Sequence, residues 1–337
     1  MKQFTTPACI KRHPANPILS AADIPYEATL TFNAGVTKFN GEYVMVFRND
    51  YGSPESVWRA WSTGESDERP GFETTMGLAF SSDGVTWQVR PDPCFAMKDQ
   101  SLKIRRAYDP RLTVIDGRCH MCFAVDTFYG VRGGIAVTDD FETWEVLSMT
   151  VPDNRNMVLL PEKINGKYVR FERPFPVYGR GGGEAFDFWM SDSPDLKYWG
   201  NSKLVLGAER VPFSNAKIGP GAPPVKTPKG WLTTFHATYK DNALLLDTWE
   251  KEWHKAYHAG IMLLDLADPS KIIGICDNPI LPPEETYELN GFRGSVIFPG
   301  GMILEDSGEV KIYYGGADTV ECLATADVND LIALCLD

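Results

Sequence analysis

Basic side chains are scarce in this 337-residue chain: 33 Lys and Arg stand against 45 Asp and Glu, a formal net charge of −12. Such a surface repels polyanions, which argues against nucleic acid as a partner. It also makes any local gathering of cations worth explaining. Long apolar runs are missing as well. No stretch approaches the ~20 apolar residues of a membrane span, and Met1 to Pro7 lacks the apolar core of a signal peptide. The expectation is a cytoplasmic protein with no membrane partner. Cysteine is sparse, scattered and odd in number, with seven residues. Cys119 and Cys122 have the spacing of a metal or redox pair, but no second pair exists and Arg118 to Val125 looks like an apolar strand. Reduced thiols and no metal are the simpler reading. The Gly-x-x-x-x-Gly-Lys-Ser/Thr loop of nucleotide sites is absent. Gly179-Arg-Gly-Gly-Gly183 lacks a strand-to-helix setting and reads as a rim loop. Helical periodicity is rare; the best candidate is Ala243 to His254, read as an inserted helix or loop.

What is present in abundance is β-pattern and aromatics, with nine Trp, 13 Tyr and 18 Phe. One unit recurs five times: an apolar run, a Gly turn, then an alternating run. It begins at Val36 with its turn at Asn40-Gly41, and again at Leu112 with Asp116-Gly117. Further copies turn at Asn165-Gly166, Lys229-Gly230 and Ser307-Gly308. Each is a β-hairpin signal. A third strand follows, as in Gly77 to Trp87, Gly134 to Trp144, Asp187 to Trp199, Gly260 to Pro269 and Cys322 to Val328. Short fourth strands such as Gln88 to Arg90 complete the unit. The pattern predicts an all-β chain folded as one five-bladed β-propeller over 1–337, with an insertion near 241–257. Two packed sandwiches would not account for the repeat number or the shared third strand. Asn16-Pro-Ile-Leu19 matches Asn278-Pro-Ile-Leu281. That match predicts that the N-terminal segment closes the ring as the outer edge of a blade.

The start of the first strand and the end of the second fall at one end of such a propeller. Those positions hold Asn33, Tyr108-Asp109, Arg155-Asn156, Lys217 and Arg293, then Arg48-Asn49-Asp50, Asp126, Arg173, His236 and Asp318. Each has a bland account: an isolated Arg is usually a solvated or paired surface group, and an isolated His is usually satisfied structurally. Four cationic donors, Arg155, Arg173, Lys217 and His236, on one rim of an acidic protein are harder to dismiss. They would repel one another unless an anion sat between them. Asp109 faces them from Tyr108-Asp109-Pro110-Arg111, where Pro110 should bias the acid toward extended backbone at the start of a strand. A glycosidase that uses water needs two carboxylates. If phosphate replaces water, a second carboxylate would repel the nucleophile. One acid plus a cationic cradle fits the latter inventory.

The chain resembles glycoside hydrolase family 130, the β-mannoside phosphorylases, over essentially its whole length. The resemblance rests on Phe47-Arg-Asn-Asp50, Tyr108-Asp-Pro-Arg111, Asn154-Arg-Asn156, Arg170-Phe-Glu-Arg-Pro174, Lys217-Ile-Gly-Pro-Gly221, Phe235-His236 and Tyr314-Gly-Gly-Ala-Asp318. It implies inverting phosphorolysis of a β-mannoside to α-mannose 1-phosphate. It implies Asp109 as proton donor, acting through the 3-hydroxyl of the mannosyl unit, and Arg155, Arg173, Lys217 and His236 as the phosphate site. Asn49, Asp50, Arg59, Tyr108 and Asp318 would contact the sugar. No metal or organic cofactor is implied; phosphate is a co-substrate. The compact length looks more like the β-1,4-mannooligosaccharide subgroup. A mannosyl-glucose or β-1,2-mannoside phosphorylase, a hydrolase of the family and a non-catalytic sugar-binding propeller stay open. The Trp249 to Tyr257 segment departs from the family pattern, which leaves the acceptor open, and a homo-oligomer is compatible with all of this.

Overall fold

A computed structural model describes residues 4–52, 73–97, 101, 103–176, 186–244, 246, 248–250 and 253–336. The expectations for Arg59 and for the loop 179–183 lie outside them. After β1 (Lys11–Arg12), the chain lays down five antiparallel sheets in sequence order. Blade 1 is β2 (Leu30–Phe39), β3 (Glu42–Tyr51), β4 (Glu73–Ser81) and β5 (Gln88–Val89). Blade 2 is β6 (Ile104–Ile115), β7 (Arg118–Thr127), β8 (Gly130–Thr138) and β9 (Glu145–Met149). Blade 3 is β10 (Asn154–Leu159), β11 (Tyr168–Pro174), β12 (Phe188–Ser193) and β13 (Gly200–Leu206). Blade 4 is β14 (Lys217–Pro220), β15 (Val225–Thr227), β16 (Gly230–Lys240), β17 (Lys255–Leu264) and β18 (Ile272–Ile275). Blade 5 is β19 (Ile297–Leu304), β20 (Glu309–Gly316) and β21 (Val320–Asp327), with β1 on its outer edge. The architecture is a five-bladed β-propeller.

Local chemistry explains the regularity. The Asn40-Gly41 and Asp116-Gly117 turns have φ near +51 and then +88 or +77. That is the left-handed pair a two-residue hairpin needs, and the reason these residue types stand there. Each third strand is terminated by an Asp whose side chain accepts backbone N–H groups further on. Asp83 takes Val85 and Thr86, Asp140 takes Glu142 and Thr143, Asp195 takes Lys197 and Tyr198, and Asp265 takes Ala267 and Asp268. These Asx-type turns reverse the chain into the fourth strand. In blade 5 the corresponding Asp327 accepts from the Asn329 N–H and opens a C-terminal helix, Val328–Leu336.

The ring closes as the matching Asn-Pro-Ile-Leu segments predict. Lys11 and Arg12 pair with Thr325 and Ala324. Leu19 bridges Glu321, as Leu281 bridges Ala259 one blade earlier. Of the two readings of the inserted segment, helix or loop, the structure has the loop. Among the described residues between Ala243 and His254 there is no helix; Thr248 instead bridges Gly291, and 255–257 already belong to β17. Among the described residues the chain forms a short helix at Thr286–Leu289 and a longer one at Val328–Leu336, which buries Leu331, Ile332 and Cys335. Apolar clusters fill the spaces between blades. Cys119 belongs to the one between blades 1 and 2, and Cys122 to the one between blades 2 and 3. The two thiols therefore point to opposite faces of β7, which rules them out as ligands of one ion. No helix among the described residues is long and apolar enough to cross a membrane.

Candidate active site

The site grows out of irregularities in the innermost strands. Register shifts interrupt the β2–β3, β6–β7 and β10–β11 pairings. At each, one residue turns left-handed: Asn33 with φ 53, Asp109 with φ 53 and Asn156 with φ 56. Asn and Asp tolerate this region best among side chains with a Cβ, and a bulge of this kind re-aims a side chain. Three equivalent blade positions thus send three polar groups into one central mouth. The extended backbone expected for Asp109 is not found. It sits inside a strand at a bulge, and the bulge geometry overrides the local preference of a residue before proline.

Below the mouth the inner strands approach so closely that a Cβ on Gly300 would meet the Ala34 carbonyl oxygen at 1.9 Å. The channel is plugged by Arg111. Its guanidinium donates to the carbonyls of Gly221 (2.9 Å), Asn33 (3.2 Å), Pro110 (2.7 Å) and Pro299 (3.1 Å). Blades 1, 2, 4 and 5 are tied to one buried cation.

The mouth is a cavity of about 230 Å³. Of the residues expected at the site, Tyr108, Asp109, Arg155, Arg173 and Asp318 line it. The Asp109 carboxylate accepts from the Asn33 amide (3.1 Å) and from Arg48 (3.2 Å). Arg48 is fully buried and pinned in turn by Asp50 at 2.6 Å. Burial alone would raise the Asp109 pKa, but Arg48, Arg111 and the Asn33 hydrogen bond outweigh it and hold the group below the usual carboxylate range. On the other wall, Arg155 donates to the Tyr108 hydroxyl (3.0 Å), which donates to Asp126 (2.7 Å). Asp126 also accepts from Arg106 at 2.6 Å. Arg173 has no such counter-ion among the described residues; burial and the neighbouring Arg155 bring it down to about 9.

Lys217 and His236 are close by but do not line the cavity. The His236 Nδ1 lies 3.1 Å from the Pro220 carbonyl, which can only accept, so Nδ1 carries the proton. Nε2 is then free to accept from Arg173 at 3.0 Å. His236 is therefore a neutral support for Arg173, and burial and Arg173 hold its pKa well below the ordinary histidine value. Lys217 is likewise driven well below the usual lysine value, first by burial and then by Arg173 and Arg155. The expected cluster of four cations is thus two guanidinium groups at the wall, with a histidine and a depressed lysine close by.

Asn49 and Asp50, expected to touch sugar, do not line the cavity. Asn49 donates to the Glu27 carbonyl and Thr75, and Asp50 holds Arg48. Both are buried completely. Residues given no role from the sequence stand in their place. Arg293 lies 3.5 Å from Asp318 and stacks on Trp253 at 4.6 Å. Trp253 lies at the end of the segment between β16 and β17, where no repeat signal could place it. Burial raises the Asp318 carboxyl to about 6 against the pull of Arg293 and Arg48.

A propeller whose blades converge on a pocket with carboxylates on one side and unneutralised guanidinium on the other defines a class: an enzyme-like fold suited to a hydroxyl-rich ligand beside an anion. The chain belongs to glycoside hydrolase family 130, whose model, described as β-1,4-mannooligosaccharide phosphorylase, matches residues 10–337. The 1,2-β-oligomannan phosphorylase of Thermoanaerobacter sp. (strain X514) is 31% identical, over 96% of this chain and 98% of that protein. The β-1,4-mannooligosaccharide phosphorylase of Ruminococcus albus is 32% identical, over 96% and 90%. The structure of β-1,2-mannobiose phosphorylase from Listeria innocua, in complex with β-1,2-mannobiose, superposes with a TM-score of 0.79 at 26% identity, covering 97% of this chain and 99% of that one.

Proposed function

We propose that this protein is an inverting β-mannoside phosphorylase, with β-1,4-linked mannooligosaccharides as substrate. Phosphate enters beside Arg155 and Arg173 and attacks the anomeric carbon. The glycosidic C–O bond breaks as the new C–O–P bond forms, and Asp109 supplies the proton that leaves with the departing sugar, passed through the 3-hydroxyl of the mannosyl unit. Lys217 and His236 complete the phosphate site, Lys217 regaining its proton when the anion arrives. Tyr108 and Asp318 hold sugar hydroxyls. The observation that carries the reading is Arg173, a buried guanidinium at the cavity wall with no carboxylate ion pair among the described residues, facing the same space as Asp109. A buried unpaired charge is expensive unless a ligand completes it. Phosphate is a co-substrate, and the scheme calls on no metal or organic cofactor. A cytoplasmic location is in keeping with seven free thiols.

Relatives that act on β-1,2 and β-1,4 linkages are about equally similar, so β-1,2-mannosides are the second reading. Mannobiose of each linkage, incubated with and without phosphate, decides. The expected product is mannose 1-phosphate, made only when phosphate is present and faster from the β-1,4 sugar. Free mannose made without phosphate would overturn the proposal and turn Asp318 into the base of a hydrolase.

A further inference from the structure

A second cavity, of about 510 Å³, lies between blades 2 and 3; Phe175, one of its walls, also lies against Arg155 and Arg173 of the mouth. Its walls are the link from β9 to β10 and the face of blade 3 that carries Asn154, Arg170, Glu172, Ser191, Trp199 and Ser202. Arg170 and Glu172 form an ion pair at 2.7 Å, and Asn154 donates to the same carboxylate at 2.6 Å. Asn154, Arg170, Glu172 and Ser191 are only 7%, 5%, 3% and 1% exposed. Yet Arg170 Nε, Asn154 Oδ1 and Ser191 Oγ have no hydrogen-bond partner. Leaving a buried polar atom unpaired costs about 1–3 kcal/mol, and native proteins keep few such atoms without a reason. The mouth shows the same signature: Asn33 Oδ1, Asn156 Oδ1, Arg155 Nε and Arg173 Nε are also unpaired.

The chemistry of the cleft differs from that of the mouth. Arg170 and Glu172 cancel in charge, so an anion gains little there. What remains unsatisfied is one N–H donor, one amide acceptor and one hydroxyl able to play either part. That set is complementary to neighbouring hydroxyls on a neutral sugar ring. Trp199 adds an apolar wall; its indole N–H is held by the Leu196 carbonyl, and its ring lies 4.2 Å from the Arg170 guanidinium. Aromatic walls with a few placed polar groups are how small-molecule sites are built, and the volume lies within their usual range of roughly 300–1,000 Å³. We propose that the cleft between blades 2 and 3 is a second, non-catalytic carbohydrate site that takes one or two hexose units of a neutral oligosaccharide. Binding there does not depend on phosphorolysis at the mouth; only its use for holding a long substrate rests on that reading.

The test is a calorimetric titration without phosphate, using β-1,4-mannotriose and, separately, cellotriose. The parent protein is compared with Ser202→Trp, which fills the cleft from an exposed strand position, and with Trp199→Ala. The expected result is one more binding equivalent per chain in the parent than in either variant, for at least one of the two sugars. Turnover of mannobiose is unchanged in Ser202→Trp, while its KM for longer mannooligosaccharides rises roughly three- to tenfold, the scale of one lost ring contact. Equal stoichiometry in the parent and Ser202→Trp with both sugars overturns the proposal. An extra equivalent in a parent that turns over no mannobiose would count against the proposed activity and leave the cleft standing.

Discussion

Asp109 occupies a backbone conformation, φ 53, that costs most side chains with a Cβ roughly 1–2 kcal/mol. Asn shares the tolerance of Asp for it, and Ala does not. Asp109→Asn should therefore keep the fold and abolish mannose 1-phosphate release, whereas Asp109→Ala should lose activity and about 1 kcal/mol of stability besides. Paired denaturant curves and a phosphorolysis assay check this; equal stability of the two variants would mean that the bulge is not strained. The same residue poses a chemical problem. Arg48, Arg111 and the Asn33 hydrogen bond hold Asp109 below the usual carboxylate range, yet the proposed proton donor must be protonated. Arg155 is among the groups that lower it, and a phosphate beside Arg155 would cancel that pull. Protonation of the acid is thus coupled to arrival of the nucleophile.

At the level of strands, two contacts hold the propeller closed and both can be tested. Glu321 of β21 is fully buried and accepts from the Ala34 N–H of β2 (3.0 Å). Burial, only partly opposed by that bond and by Arg111, raises its pKa from 4.5 to about 8. A raised carboxyl favours the protonated fold, so its contribution is complete below about 4.5 and is lost as pH climbs to about 8. Glu321→Gln should flatten the fall in stability across that window, by an amount on the order of a few kcal/mol. Melting curves at several pH values would show it, and an unchanged slope would refute it. Arg12 of β1 pairs with Glu288 at 2.7 Å, and Glu288 is fully buried. Arg12→Ala removes the counter-ion of that buried carboxylate, which keeps only hydrogen bonds from Tyr314 and the Glu284 and Glu285 N–H groups, and should cost about 3 kcal/mol, read as a lower denaturant midpoint. A loss below 1 kcal/mol would mean that β1 does little to close the ring.

The elements also show what a sequence discloses. Five hairpins that turn on a Gly, three of them Asn-Gly or Asp-Gly, and five third strands followed by an Asp turn are local signals, so the blades were legible. The side of the mouth was legible too, because strand direction alone places Asp109, Arg155 and Arg173 together. The bulges were not, because a bulge is a property of two strands in register and Asp109 looks like any acid before proline. The neutrality of His236 was hidden for a related reason: it depends on the Pro220 carbonyl and on Arg173, residues brought together only by folding. Trp253 lies outside the repeat, and the C-terminal helix shows only one short apolar stripe.

Over the whole molecule, a chain of net charge −12 must bind a multivalent anion. The long-range field opposes this, and in the proposed site the local arrangement at Arg155, Arg173 and Lys217 would reverse it. The cost is held as depressed basicity: Lys217, and Arg173 at about 9, lie below their ordinary values. Lys217 is neutral in the folded state over a range of pH in which it would be charged unfolded, so its contribution makes the ligand-free protein more stable as pH rises through that range. Burial depresses it first and repulsion from Arg173 and Arg155 next, and a phosphate dianion offsets the repulsion. Binding should then take up protons, at Lys217 and at Asp109 alike. Calorimetry of phosphate binding in buffers of different protonation enthalpy should give a line whose slope reports net uptake, and Arg173→Ala should shrink both the slope and the affinity. Phosphate at about 100 times its Kd should add about 2.7 kcal/mol to the stability of the parent, seen as a higher Tm that sodium chloride of equal ionic strength does not reproduce. A slope of zero together with an unmoved Tm would mean that these cations answer only to the protein, and that the nucleophile is not phosphate.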